Sequence, residues 1–277
     1  MNSRSLLVID GDPEVHQEVA GALQHGGRTI LDAFNQREAL QRLRAGKFDL
    51  VVAGQGNNGF DGLNLLRKLR ALQPRAKVIV TGNPDPGRVV RAIRERAYAY
   101  FHRPLQPNQL SETVQQALGS RSWEDDIQVI SARPEWISLD VRCKMDAAER
   151  TAHFLRETVA DLPVHMREDI SSAIRELLMN AVEHGGRSNP RKRARVALIR
   201  TGRSVIGHVH DPGTGFSLDF LPHAAISNPD DSPTKHVEIR AVAGKRPGGF
   251  GILMTRNMVD ELIYNERGNA VLFVKYL

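Results

Sequence analysis

The sequence predicts an α/β protein of two domains: a parallel sheet covered by helices on both faces, then helices over a mixed, largely antiparallel sheet in two layers. Three observations predict it. At 277 residues the chain is longer than one small core, since domains run to roughly 100–200 residues. Its first ~120 residues alternate short aliphatic runs with amphipathic stretches, as a parallel sheet with crossover helices requires. From about residue 135 onward, period-two strands are interleaved with helices, one of them stopped by glycines.

In the first half, Leu6-Leu7-Val8-Ile9, Leu50-Val51-Val52-Ala53 and Val78-Ile79-Val80 read as strands buried on both faces. Leu63, Leu65, Leu66, Leu69 and Leu72 recur at helical spacing, as do Val89, Val90 and Ile93, and a further helix covers Leu110 to Leu118. Such sheets place their chemistry at the carboxyl ends of the strands.

Asp10-Gly11-Asp12-Pro13, Asp49 to Gly54, Phe60-Asp61-Gly62-Leu63, Val80-Thr81-Gly82 and Phe101-His102-Arg103-Pro104 lie at those ends. In order and spacing they resemble the marks of a response-regulator receiver domain over about residues 4–120. The resemblance implies a five-stranded parallel sheet of the flavodoxin or CheY-like kind. It also implies an acid pair holding Mg²⁺, a phosphoacceptor aspartate ending the third strand, a Thr or Ser ending the fourth and a Lys-Pro after the fifth. This sequence departs from the pattern. The phosphoacceptor position is Gly54, the acid pair is Asp10-Gly11, the lysine is Arg103, and Thr81 is retained. An acyl phosphate needs a carboxylate nucleophile and a metal to offset oxyanion charge. Asp49 is expected at the far end of its strand and Asp61 in the loop beyond, so neither replaces it. The expectation is a non-phosphorylatable pseudo-receiver over residues 1–120, kept for docking or dimerisation, with a scaffold of no role as the alternative.

Residues 121–134 turn polar and charged and read as a linker, with Trp123 anchoring it against one of the domains. In residues 135–277, Trp136 to Cys143 alternates at period two as a half-exposed strand. Helices are expected over 146–161, with Asp146 as N-cap, and 167–184, stopping at Gly185-Gly186. Strands follow at 194–201 and 204–210, then a helix over 250–260 and strands near 262–265 and 270–276.

On the second helix Ile170, Ala173, Ile174, Leu177, Leu178 and Ala181 form an apolar stripe, and Glu176, Asn180 and Glu183 or His184 share another face. Downstream, Asp211-Pro212-Gly213-Thr214-Gly215 ends a strand, its glycines letting backbone approach a ligand and its acid accepting a hydrogen bond. Pro247-Gly248-Gly249-Phe250-Gly251 opens a helix, whose free N–H groups favour an anionic phosphate. Each motif alone is weak, because solvated faces, turns and caps use the same residues. Their order is far more specific.

The order resembles the GHKL ATP-binding domain shared by gyrase, histidine kinases and MutL, over about residues 135–277. The small serine-kinase branch, the anti-sigma factors of bacterial partner-switching systems, resembles it most. Glu176 to Gly185 and the tail Met258 to Asn269 carry that likeness. By resemblance Asn180 coordinates Mg²⁺ bridging the phosphates of ATP, Asp211 accepts from the adenine amino group, Gly213 and Gly215 make room for base and ribose, and Gly249 and Gly251 line the triphosphate. Glu176 is the candidate catalytic base for a substrate hydroxyl. The segment between Phe216 and Gly248 reads as a lid, in which Lys245 or Arg246 clamps the triphosphate or is simply solvated.

Composition sets the remaining bounds. No apolar run approaches the ~20 residues of a membrane span, and no export signal opens the chain, so a cytoplasmic protein away from membranes is expected. The single Cys143 excludes an intramolecular disulfide and reads as a buried or idle thiol. The net charge of +6 is expected to sit largely in the lid and in the cluster Arg187, Arg191, Lys192, Arg193, Arg195, Arg200 and Arg203. No nucleic-acid module accompanies that cluster, so nucleic acid is disfavoured. The expected function is an ATP-dependent serine/threonine kinase acting on a STAS-type anti-sigma-factor antagonist, a sigma factor or both. A non-catalytic ATP-binding module that sequesters its partner stays open, as does a homodimer.

Overall fold

The computed structural model describes residues 4–23, 27–54, 60–120, 122–215 and 251–277. Compactness divides the chain into Met1–Glu124 with Glu157–Asp161, and Asp125–Arg156 with Leu162–Leu277. Among the described residues no helix is long and apolar enough to cross a membrane.

The first unit alternates strand and helix throughout: β1 (Arg4–Ile9), α1 (Pro13–Ala22), β2 (Arg28–Ala33), α2 (Gln36–Ala45), β3 (Leu50–Ala53), α3 (Gly62–Leu72), β4 (Lys77–Gly82), α4 (Pro86–Arg94), β5 (Ala99–His102) and α5 (Pro107–Gly119). All strand pairs are parallel, in the order β2-β1-β3-β4-β5. The aliphatic runs of β1, β3 and β4 are buried along their whole length, each full Leu, Ile or Val contributing about 1.5–3 kcal/mol. Helix starts follow from the sequence: Asp12, Asn35, Asp61 and Asp85 accept first-turn N–H groups as N-caps. Proline occupies the first turn of α1, α4 and α5, where its missing N–H costs nothing. Trp123 is buried, edge-on to Tyr98 at 5.4 Å between ring centroids, and so anchors to the first unit.

The second unit contains β6 (Ile127–Arg133), β7 (Trp136–Arg142), α6 (Met145–Glu157), α7 (Val164–Asn180), a π turn over Ala181–Gly185, β8 (Arg193–Arg200), β9 (Ser204–His210), α8 (Gly251–Met258), β10 (Glu261–Tyr264) and β11 (Ala270–Tyr276). Its six strands run β10-β11-β9-β8-β7-β6, and every pair among the described residues is antiparallel, in keeping with the largely antiparallel sheet expected. The stretch read as a linker over 121–134 includes β6. It is an edge strand with Val129 and Ile130 exposed, which is why its sequence lacks the marks of a buried strand. β7 is more buried than expected because β6 covers its outer edge. Asp146 stands in the first turn of α6 rather than at its cap. The apolar stripe of α7 is buried, and Gly207 on β9 lies under the Phe273 ring, where a Cβ would overlap the ring.

Candidate functional site

In the first unit, β1 and β3 are where the strand order reverses, so Asp10 and Gly54 open onto the crevice in which open α/β sheets bind ligands. That space is filled from within. Arg103, just beyond β5, ion-pairs with Asp10 Oδ2, while Asp10 Oδ1 accepts from the Asp12 N–H at 2.9 Å. A Cβ at Gly54 would overlap Asp10 Oδ2 and come within 2.7 Å of both Arg103 and Thr81 Oγ1. Burial holds the Asp10 carboxyl above its ordinary range, and the Asp12 N–H and Arg103 only partly offset it. Asp49 lies at the opposite end of β3, paired with Arg4 at 2.8 Å, and Asp61 caps α3 while paired with Arg88 at 2.7 Å. Thus Asp10, Gly54, Thr81 and Arg103 do converge, as an internally neutralised cluster.

In the second unit, Glu176 and Asn180 project from the same side of α7 one turn apart, and Asn180 Nδ2 donates to Glu176 Oε1 at 3.1 Å. The helix then widens. The Gly186 N–H donates to Ala181 O at 2.8 Å, five residues back, giving the π turn. The wide turn spans Ala181–Gly185 and ends with Gly185 against Asp211. Asp211 follows β9, its N–H bound to Asn269 O at 2.9 Å and its Oδ1 accepting from the Gly213 N–H at 2.7 Å. A Cβ at either Gly185 or Gly213 would run into the Asp211 carboxyl. Burial raises Asp211 above the ordinary carboxylate range. Gly215 has φ +84°, where an L side chain is strained, and a Cβ there would overlap Arg267 O.

At the other end of the ladder, Gly251 opens α8 directly against Glu176, whose Oε1 occupies the place a Gly251 Cβ would take. Glu176 also acts on Tyr264 of β10, whose phenol is pushed up to about 12 by burial first and by that negative charge second. One helix therefore meets both glycine motifs: Glu176 lies against Gly251, and Gly185 lies against Asp211, roughly 13 Å apart at 1.5 Å per residue. The structure brings Glu176 to both Asn180 and Gly251, and Asp211 to Gly213. Gly185, Asn269 and Tyr264 join them and were not singled out as site residues from sequence. The glycine pair after His184 was legible only as a helix stop. Gly249, Lys245, Arg246 and the lid lie outside the described residues.

The remaining basic cluster is partly satisfied internally. Arg195 pairs with Asp140 at 2.7 Å, and Arg193 donates to the carbonyl oxygens of Asp140 and Asp125. Cys143 is fully buried beneath Gly186, and burial pushes its thiol up, as expected of an inert cysteine.

Comparison with known families divides the chain in the same way. Residues 6–115 match the response regulator receiver domain, and residues 141–275 match the histidine kinase-like ATPase domain. The chain carries a receiver domain and a histidine-kinase-like ATPase domain. The chain is 32% identical over 114 residues to the C4-dicarboxylate transport transcriptional regulatory protein DctD of Rhizobium meliloti, covering 41% of this chain and 25% of that one. It is 30% identical over 115 residues to the transcriptional regulatory protein ZraR of Salmonella typhimurium, covering 41% and 26%. The chain thus spans about a quarter of the length of these curated relatives. A response regulator from Thermotoga maritima superposes with TM-score 0.40 at 28% identity, covering 43% of this chain and 100% of its own. The ATPase domain holds the Glu176–Asn180 ladder and Asp211.

Proposed function

We propose that this chain is a bacterial signalling protein in which the ATPase domain is an ATP-dependent serine/threonine protein kinase of the anti-sigma-factor type. It acts in a partner-switching pathway, with the receiver domain as a non-phosphorylatable docking or regulatory module. The observation that carries the reading is the single helix that meets Gly251 through Glu176 and Asp211 through Gly185. A ligand with a base at one end and phosphates at the other fits that separation.

The residues suit Mg-ATP. Gly213 and Gly251 keep clear the space that Cβ atoms would crowd against Asp211 and Glu176. With its Nδ2 committed to Glu176, Asn180 presents Oδ1, a hard donor suited to Mg²⁺. Asp211 accepts from the exocyclic amino group of the base. When bound, Mg-ATP supplies the transferable phosphoryl group. Glu176 then takes the proton of the substrate Ser or Thr hydroxyl, and its hydrogen bond to Asn180 keeps it oriented beside the N-terminus of α8. The substrate is a Ser or Thr of a small STAS-type antagonist, and the alternative is a non-catalytic ATP-binding module that sequesters a sigma factor or another partner. Titrating ATP with and without Mg²⁺, then following phosphotransfer to such an antagonist, tests the reading. Binding without any transfer would leave an ATP-gated binding module and remove the kinase.

A further inference from the structure

The surplus charge is not where the lid and the cluster after His184 would put it. Residues 1–120 hold 16 Lys and Arg against 11 Asp and Glu, whereas residues 121–277 hold 22 against 21. The receiver domain therefore carries +5 of the +6. Much of it lies on α3 and α4, which are tied side by side by Arg67–Glu95 at 2.9 Å and by Arg91 donating to Asn64 at 2.6 Å.

The acids beside these two helices are already engaged, Asp85 by capping the Gly87 and Arg88 N–H groups of α4. Glu95 is held by Arg67, and Asp61 by Arg88 and Arg91. Lys68, Arg94 and Arg96 are exposed and have no acidic partner among the described residues. Crowding of like charge is visible at Arg70, whose guanidinium is pushed down by burial first and by Arg96 second. Arg96 itself has φ +56°, the left-handed position after a helix where glycine is favoured and an arginine is strained. A cation is thus held at a point where the backbone favours glycine, beside cations that repel it.

We infer that the α3–α4 face of the receiver domain is a docking surface for an acidic helical protein segment, whose carboxylates at i and i+4 pair with Lys68, Arg94 and Arg96. Charge complementarity favours this occupant, and two features favour it over nucleic acid. Asp61 and Glu95 interrupt the row of cations, which suits discrete carboxylates better than a continuous phosphate backbone. Leu72, 38% exposed at the end of α3, offers an apolar contact to a side chain, and among the described residues α3 and α4 contain no aromatic that could offer a stacking platform for bases. The inference rests on the reading of this domain as a docking module and does not depend on ATP or kinase activity.

The test uses the full chain and a fluorescein-labelled helical peptide carrying Glu at i and i+4, beside duplex DNA of the same net charge. The peptide is expected to bind, to weaken as salt rises from about 50 to about 200 mM, and to bind K68E/R94E at least about tenfold more weakly. Arg96→Gly separates stability from recognition: it is expected to raise the melting temperature, because glycine relieves the strained φ, while weakening the peptide. No peptide binding at low salt, or equal binding to wild type and both variants, would overturn the inference. Tighter binding of DNA than of peptide, lost in K68E/R94E, would overturn it in favour of a nucleic-acid surface. A native partner held equally by wild type and K68E/R94E would keep the docking reading and remove this face from it.

Discussion

Asn180 donates its side-chain amide to Glu176 Oε1 at 3.1 Å, so the candidate metal ligand and the candidate base orient one another. Separating their roles is the first experiment. Glu176→Gln keeps the acceptor oxygen and the side-chain volume but loses the base, and phosphotransfer is expected to fall about 10²–10⁴-fold with Mg-ATP affinity retained. Asn180→Ala is expected to abolish the Mg²⁺ dependence of ATP binding in calorimetric titration. A Glu176→Gln protein that transfers phosphate at the wild-type rate would remove Glu176 from the mechanism.

Gly251→Ala tests the close approach of α8 to α7. Its Cβ falls on Glu176 Oε1, so either the carboxylate or the start of α8 must move. Such overpacking is expected to cost about 1–3 kcal/mol in urea unfolding and to depress phosphotransfer. Unchanged stability and rate would mean that the two motifs are further apart than described.

The pH dependence of Asp211 has a definite sign. Burial raises its carboxyl in the folded protein, so the folded state keeps the proton to higher pH than the unfolded chain, whose Asp ionises near ~3.9. From about pH 4 upward the folded state binds more protons, and this contribution to stability is lost as pH rises through the folded value. Asp211→Asn keeps the acceptor for the Gly213 N–H and removes the titration. In nucleotide-free protein, the unfolding free energy of the variant minus that of the wild type is expected to grow with pH over this window and then level off. A difference that is flat from about pH 4 upward would contradict the burial of this group.

Gly54→Asp is expected to fail as a repair. The new side chain would enter the space held by the Asp10–Arg103 pair, placing a second carboxylate beside a buried one. The expected results are a loss of about 1–3 kcal/mol in the receiver transition and no base-labile label from acetyl phosphate. Robust labelling would show that the pair yields to an incoming phosphoryl group.

How much of this was legible depended on whether a feature has a short-range cause. The bounds of β9 and β11 followed from period-two patterning. β6 did not, because an edge strand with exposed Val129 and Ile130 shows no buried alternation. The π turn was also hidden. The 3.6-residue rule carries the helix unchanged through 181–184, and the Gly186 N–H to Ala181 O bond shows that it widens there instead. Arg103 was read as a lost lysine, and its pairing across 93 residues with Asp10 is a tertiary fact that no local pattern encodes.

That pairing bears on time as well as on chemistry. A receiver with an aspartyl phosphate has a built-in clock, since the acyl phosphate hydrolyses and the signal decays. Gly54 cannot hold one, and Arg103 already sits with Asp10 in its place. On the proposed docking reading, whatever this domain reports lasts only as long as a partner remains bound, and its memory is set by a dissociation rate.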